Sequence, residues 1–318
     1  MSIMIQSTGR EWERAMETPK IFKYLRIEKD SIERYDLVEI SLERIRFAYE
    51  VAKQRELGPL YVCFSGGKDS VVLSMLCEEA HRRWGVEYEL NYSVTGIDPP
   101  ELIHFIQKHY PELVWNRPEK TIWKLIEEKG MPPMRTMRYC CRELKEYGGE
   151  GRMCLTGVRW EESVRRQGRR PYEVKANDTK QKMLFNDNDE GRKEFEHCMM
   201  KKALICNPIV DWSTKQVWAF IKANNRPYCC LYDEGFERLG CIGCPMAKTR
   251  EREKEFQRWP GFKKLYIKAF DRMLKQIDNA ATWKSGEDVF NWWVYGERNQ
   301  KLKAQIGIWD EELEGETE

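Results

Sequence analysis

The stretch Leu60-Tyr-Val-Cys-Phe-Ser-Gly-Gly-Lys-Asp-Ser70 constrains this chain more than any other. An apolar run breaks at a Gly-Gly pair and restarts as Val71-Val-Leu-Ser-Met-Leu76, the pattern of strand, loop and helix. Glycine takes backbone angles closed to other residues and lets the chain approach a ligand closely. The first turn of the following helix directs unpaired N–H groups and the positive end of its dipole into such a loop. That geometry holds phosphate. Lys68 adds a mobile positive charge and Ser65 and Ser70 add hydroxyls. Asp69 places a carboxylate at the helix start, where it can cap the helix or help hold Mg²⁺. The spacing is not G-x-x-x-x-G-K-[ST], so the loop is no Walker A.

A chain of 318 residues accommodates one large α/β domain with appended helices. A hydrophobic share of 41% allows a sizeable core, while 33% charged residues and a mean hydropathy of −0.72 require strongly two-faced helices. No apolar run approaches a membrane span, and Met1-Ser-Ile-Met-Ile-Gln-Ser7 lacks the regions of a signal peptide; the expectation is a cytoplasmic protein with no membrane partner. Fifty-four Lys and Arg against 52 Asp and Glu give a net charge of +2, which excludes the global basic field of a non-specific nucleic-acid binder. The eleven cysteines are odd in number and in a reducing compartment form no disulfide framework, so metal binding or catalysis becomes the question.

Along the chain, Leu37, Ile40, Ile45, Ala48 and Val51 have the spacing of amphipathic helices, giving a helical extension over residues 1–57. Trp12, Phe22 and Tyr24 are read as helix-packing aromatics. Strands are expected at Tyr88–Val94, Leu113–Trp115 and Met153–Val158. Helices are expected at Pro99–His109, with Pro in its first turn, and at Thr121–Gly130, with a Thr start and a Gly stop. Alternating strands and helices at this spacing argue an α/β fold with a doubly wound parallel sheet and a ligand at the strands' carboxyl ends. Residues 175–203 are polar and irregular and read as a mobile loop or lid, Asp211–Lys222 as a helix. Beyond Thr249 come charged helices with Trp283, Phe290, Trp292, Trp293 and Tyr295 as a packing stripe. Residues 58–246 thus form the nucleotide-binding domain and 247–318 a C-terminal helical region.

Cys140-Cys141 and Cys241-Ile-Gly-Cys244 offer four thiols from two loops. This number and type of donor suits a [4Fe–4S] cluster or a structural zinc, and spacing does not choose between them.

Ser65-Gly-Gly-Lys-Asp-Ser70 resembles the PP-loop of ATP pyrophosphatases, which split ATP between the α and β phosphates and leave AMP on a substrate. Val94-Thr-Gly-Ile-Asp-Pro-Pro-Glu101, Cys140-Cys141, Gly157-Val-Arg-Trp-Glu-Glu-Ser-Val-Arg-Arg166, the segment Asn207–Tyr228 and Leu231–Cys244 resemble, in order and content, the phosphoadenosine phosphosulfate (PAPS) reductase family. The resemblance implies an adenine nucleotide alpha hydrolase-like fold with helical additions at both ends. It places a [4Fe–4S] cluster on Cys140, Cys141, Cys241 and Cys244. ATP with Mg²⁺, or adenosine phosphosulfate (APS) or PAPS, would sit on Ser65, Gly66, Gly67, Lys68, Asp69, Ser70, Thr95, Gly96, Gly157, Arg159, Glu162 and Ser163. Catalytic roles fall to Lys68, Asp69, Arg159 and Arg166, the two arginines clamping an anion and Arg165, Arg169 and Arg170 extending the patch.

Three departures separate the chain from the reductases: an intact phosphate loop, no cysteine after Cys244 to act as nucleophile, and Val94 in place of an Asp. They point to relatives pairing ATP cleavage with a cluster, as in DNA phosphorothioation and tRNA thiolation. The first expectation is an enzyme that adenylates a substrate and supports sulfur transfer, with a DNA or tRNA acceptor and a sulfur donor such as a cysteine desulfurase. The second is a sulfonucleotide reductase using thioredoxin or a substitute thiol from Cys229-Cys230 or His197-Cys198. The third is a nucleotide-gated binding subunit of a DNA-modification complex. Oligomeric state is not readable.

Overall fold

A computed structural model describes residues 23–28, 31–145, 148–175, 182–186, 188, 190, 192, 203–277 and 283–296. Its strands are β1 (Lys23–Glu28), β2 (Ser31–Asp36), β3 (Leu60–Cys63), β4 (Tyr88–Ser93), β5 (Val114–Asn116), β6 (Met153–Leu155), β7 (Tyr172–Lys175), β8 (Lys182–Phe185) and β9 (Ala203–Cys206). The helices are α1 (Leu37–Gln54), α2 (Lys68–Trp84), α3 (Pro100–His109), α4 (Ile122–Lys129), α5 (Tyr139–Leu144), α6 (Val164–Gln167), α7 (Thr214–Ala223), α8 (Thr249–Arg258) and α9 (Pro260–Leu274), followed by α10 over residues 286–296. These elements gather into two compact units interleaved in sequence. The first takes the described residues through Tyr92, then Glu101–Trp115 and Gly149–Arg238. The second takes Ser93–Pro100, Asn116–Gly148 and the described residues from Leu239.

The sheet order is β5-β4-β3-β6-β9-β7-β8. Strand β3 runs parallel to β4 and to β6, and β6 parallel to β9, whereas β7 lies antiparallel to both β9 and β8. The expected doubly wound parallel sheet is present, with an antiparallel edge at β7 and β8. Leu60 and Val62 of β3 and Met153 and Leu155 of β6 are buried, as strands covered on both faces require.

The N-terminal extension differs from the helical expectation. Strands β1 and β2 form an antiparallel hairpin paired from Lys23↔Asp36 to Glu28↔Ser31, because Leu25 and Ile27 alternate with charged neighbours at the strand period. Helix α1 does form, and Asp36 caps it by accepting N–H bonds from Val38 at 3.0 Å and Glu39 at 3.4 Å. It is integral to the first unit. Leu37, Leu42, Ile45, Ala48 and Val51 are buried. Arg44 grips Asp211 with two bonds of 2.9 Å and donates to the Pro208 carbonyl at 2.9 Å. Trp212 Nε1 donates to Ser41 Oγ at 3.0 Å.

The stretch 175–203, read as a lid, contributes β8 to the sheet; Asn177, Asp178, Asp187, Asp189, His197 and Cys198 lie outside the described residues, as does Trp12. The described C-terminal helices cluster with Ser93–Pro100 and Asn116–Gly148 in the second unit. Helix α9 packs on α4, with Trp123 and Tyr266 rings edge-on at 5.1 Å. Phe256, Tyr266, Phe270, Phe290 and Trp293 close an aromatic core. Each such ring buries a large apolar area, so the second unit gains most of its cohesion here.

Candidate functional site

In the first unit the phosphate loop stands between β3 and the start of α2. Gly66 is in the left-handed region (φ 71°), and a Cβ there would meet the Leu102 and Ile106 side chains at 2.7–2.9 Å; conformation and space both demand glycine. Gly67 precedes α2 and supplies no side-chain cap, so the first-turn N–H groups other than that of Lys68 are the ones an incoming anion would meet. The loop closes on its own hydroxyls. Ser70 Oγ donates to the Gly67 carbonyl at 2.8 Å, lies 3.2 Å from Ser65 Oγ, and accepts the Ser65 N–H at 3.2 Å.

Lys68, only 8% exposed, holds its ammonium 3.3 Å from Asp69 Oδ2. Asp69 Oδ1 in turn accepts from Arg159 Nε at 2.6 Å. Gly157 permits this approach, since a Cβ there would lie 3.2 Å from the Asp69 backbone carbon. Arg159 is 1% exposed and fully engaged elsewhere as well. Nη1 donates to Glu161 at 3.2 Å and to the Trp212 carbonyl at 3.0 Å, and Nη2 to Thr214 at 3.2 Å. The expected anion clamp is thus a brace: the Arg159 guanidinium orients Asp69. Its backbone N–H is held by Glu162 at 2.8 Å, and Glu162 also pairs with Arg166. Ser163 is exposed at the start of α6. Arg169 is paired with the buried Glu173, so it extends no free basic patch.

One residue in this site escaped the sequence reading. Tyr232 accepts the Lys68 N–H at 2.8 Å, and the Lys68 ammonium stands 5.8 Å from its ring centroid. Burial pushes the Tyr232 phenol up, against the pull of the Lys68 N–H, so it remains a neutral hydroxyl at the helix start. The signal available was Leu231-Tyr-Asp-Glu-Gly235, an aromatic in a turn motif inside a matching segment. The Cys229 thiol beside it is buried and pushed up to about 11 by that burial.

The second unit carries the thiols. Cys140 and Cys141 open α5, while Cys241 and Cys244 flank a loop held by Tyr266, whose hydroxyl donates to the Ile242 carbonyl at 2.9 Å, and by Glu255, which accepts the Gly243 N–H at 2.7 Å. The Ile242 N–H donates to the Ile97 carbonyl at 2.7 Å, which brings the segment 93–100 to the same place. Thr95 and Gly96, expected to contact nucleotide, therefore sit with the thiols. Thr95 Oγ1 donates to Asp98 Oδ2 at 2.7 Å and lies 3.6 Å from Cys241 Sγ. The Cys140 thiol is raised by its hydrogen bond with Cys141, then by burial, then by Cys141, Cys241 and Cys244. Cys140 is thus within electrostatic reach of the other three sulfurs. Desolvation pulls the Lys145 ammonium down, and Cys241 and Asp98 beside it outweigh that and hold it high.

Among the described residues, no three Cys, His, Asp or Glu side chains are arranged around a single ion. Cys140, Cys141, Cys241 and Cys244 are the sulfur donors that could hold a centre of soft metal atoms in this unit. No described helix is long and apolar enough to cross a membrane.

Comparison with known proteins matches residues 59–247 to the model of the phosphoadenosine phosphosulfate reductase domain. An uncharacterized protein of Methanocaldococcus jannaschii is 28% identical over 292 residues, covering 89% of this chain and 62% of that protein; the chain thus spans less than two thirds of its length. An adenosine 5'-phosphosulfate reductase of Oceanobacillus iheyensis is 26% identical over 228 residues, covering 69% of this chain and 83% of that one. Among solved structures, the phosphoadenylyl-sulfate reductase of Candida auris aligns with a TM-score of 0.40 at 15% identity, covering 67% and 98% of the two chains.

Proposed function

This chain belongs to the phosphoadenosine phosphosulfate reductase domain family, and from that premise we propose that it is an adenine-nucleotide enzyme that cleaves ATP, adenylates a substrate oxygen and supports sulfur transfer. The observation carrying this reading is the intact loop: a left-handed Gly66 backed by Leu102 and Ile106, an uncapped helix start at Gly67, and Lys68 and Asp69 locked to each other and to Arg159. Helix-start N–H groups and the Lys68 ammonium receive phosphate oxygens. The substrate oxygen attacks the α phosphorus, the bond from that phosphorus to the bridging oxygen breaks, and pyrophosphate leaves with that electron pair. Asp69 would help hold Mg²⁺, which would offset the pyrophosphate charge. A sulfur nucleophile then displaces AMP from the activated carbon or phosphorus. Arg159 keeps Asp69 oriented throughout.

Cys140, Cys141, Cys241 and Cys244 would hold a [4Fe–4S] cluster, which when bound supplies an iron able to take up sulfide or simply ties the two loops together. Thr95 and Lys145 would steady the Cys241 sulfur.

The test is anaerobic purification with iron and sulfide analysis, followed by ATP–pyrophosphate exchange with candidate DNA, tRNA and small-acid acceptors. Exchange that disappears in Lys68→Ala supports the reading. ATP binding without exchange under every acceptor removes it. The name of the Oceanobacillus relative favours a second reading, sulfonucleotide reduction. Sulfite release from APS or PAPS with thioredoxin, in the absence of ATP cleavage, would establish that one instead.

A further inference from the structure

The second unit contains a cavity of about 320 Å³ that the chemistry above does not use, lined in part by Arg135, Thr249, Arg252, Trp292, Trp293 and Tyr295. Arg252 is 5% exposed. Its guanidinium stacks 4.0 Å from the centre of the Trp293 ring, and Nη1 donates to the Trp293 carbonyl at 2.8 Å. These contacts fix the plane of the group. Its Nε and Nη2, however, are buried without any hydrogen-bond partner. They form one of the two edges by which an arginine grips both oxygens of a carboxylate or phosphate side by side. Leaving such an edge buried and unmatched is costly, and folded proteins rarely do so without a use for it.

Two further observations give the cavity the same sign. Arg135 brings a second guanidinium to its lining, fixed by donation to the Pro245 carbonyl at 2.9 Å and the Ala247 carbonyl at 3.1 Å. Thr249 brings the first turn of the ten-residue helix α8, whose N–H groups favour negative charge. Burial draws Arg252 down to about 10, with Arg135 adding to the fall and Tyr266, Glu255 and Cys244 opposing it; the nearby Glu255 carboxylate accepts the Gly243 N–H. An anion between the two arginines would relieve their repulsion. Trp292 and Tyr295 are half-buried, so the remaining wall is aromatic. We infer that this cavity binds a small ligand with an oxyanion head on a flat aromatic body, the head meeting the unpartnered Nε and Nη2 of Arg252 and the body lying against Trp292 and Tyr295.

The full chain would be titrated with phenyl phosphate, benzoate and inorganic phosphate, followed by tryptophan fluorescence and thermal midpoint. Phenyl phosphate or benzoate should bind about tenfold tighter than inorganic phosphate, and Arg252→Gln should weaken that binding about tenfold. Which of the two probes binds better reports whether the head is a phosphate or a carboxylate. Lys68→Ala should leave the affinity unchanged, which separates this cavity from the phosphate loop. If Arg252→Gln does not fold, Trp292→Ala and Thr249→Val take its place, and a weakening of about threefold in either supports the site. Failure of both aromatic probes to bind, equal binding to folded Arg252→Gln or to both substitute variants, or loss of binding in Lys68→Ala overturns it.

Discussion

The phosphate loop and the thiol loops solve opposite problems. Around Ser65–Ser70 every charged side chain already has an opposite: Lys68 faces Asp69, Asp69 faces Arg159, and Arg159 fans out to Glu161, Trp212 and Thr214. That site is braced before any ligand arrives. In the thiol loops the Cys140 thiol is raised by its hydrogen bond with Cys141, then by burial and the neighbouring thiols, and the Cys241 thiol chiefly by burial, which Lys145 opposes. On the proposed reading a bound metal centre would complete this site, because metal ligation takes sulfurs as thiolates and turns binding free energy into folding free energy. The first site is organised by charge balance, whereas the Cys241–Cys244 loop rests on Tyr266, Phe256 and Trp293 of the aromatic core.

The strongest way to break this contrast is metal removal. Stripping iron from anaerobically prepared protein should destabilise residues 139–144 and 241–244 by about 5 kcal/mol or more, read as faster amide exchange, while residues 65–70 exchange as before. Equal loosening of both regions would erase the distinction. Next in size is Arg159→Met, which leaves Asp69 uncompensated and strands the Trp212 carbonyl; urea denaturation should show a loss of about 3–5 kcal/mol. Lys68→Ala should cost about 2–3 kcal/mol of nucleotide affinity by calorimetry, with the fold retained. Thr95→Val removes the hydroxyl shared by Asp98 and Cys241 and should cost about 1–2 kcal/mol in stability, also by denaturant. The smallest effect concerns Glu161, whose carboxyl is held below the usual carboxylate range by the Thr214 N–H and hydroxyl, then by Arg159, against some desolvation. A depressed carboxylate stabilises above its unfolded value, about 4.3, and that contribution is lost as pH falls through the lower folded value. Thermal midpoints of wild type and Glu161→Gln should therefore converge in acid and separate above about pH 4.3 by only a few tenths of a kcal/mol in stability.

What could be read beforehand was what is local. The loop needs six consecutive residues, and its strand and helix carry their own periodicity. The four cysteines could be picked out as candidate ligands because the family resemblance names them. The destination of Thr95 was not, because its partner Cys241 stands far along the chain and the two meet only after segments 93–100 and 239 onward fold together. Arg159 looked like an anion clamp because sequence shows an arginine's charge and hides its acceptors. The hairpin β1–β2 left a trace in the alternation of Leu25 and Ile27, outweighed by the stronger helical spacing that follows. Strand β8 left little, since Lys182-Met-Leu-Phe185 sits among Asn and Asp residues that read as loop.

The interleaving of the units also sets an order of events during synthesis. Cys140 and Cys141 leave the ribosome a hundred residues ahead of Cys241, a delay of about 5–20 s at ordinary elongation rates. Through that interval the early pair has no counterpart, while β3, α2 and β6 of the other unit are already made. A nascent chain of this design exposes two adjacent thiols to oxidants before their site can close, so its yield should depend on how reducing the surroundings are while it is being translated.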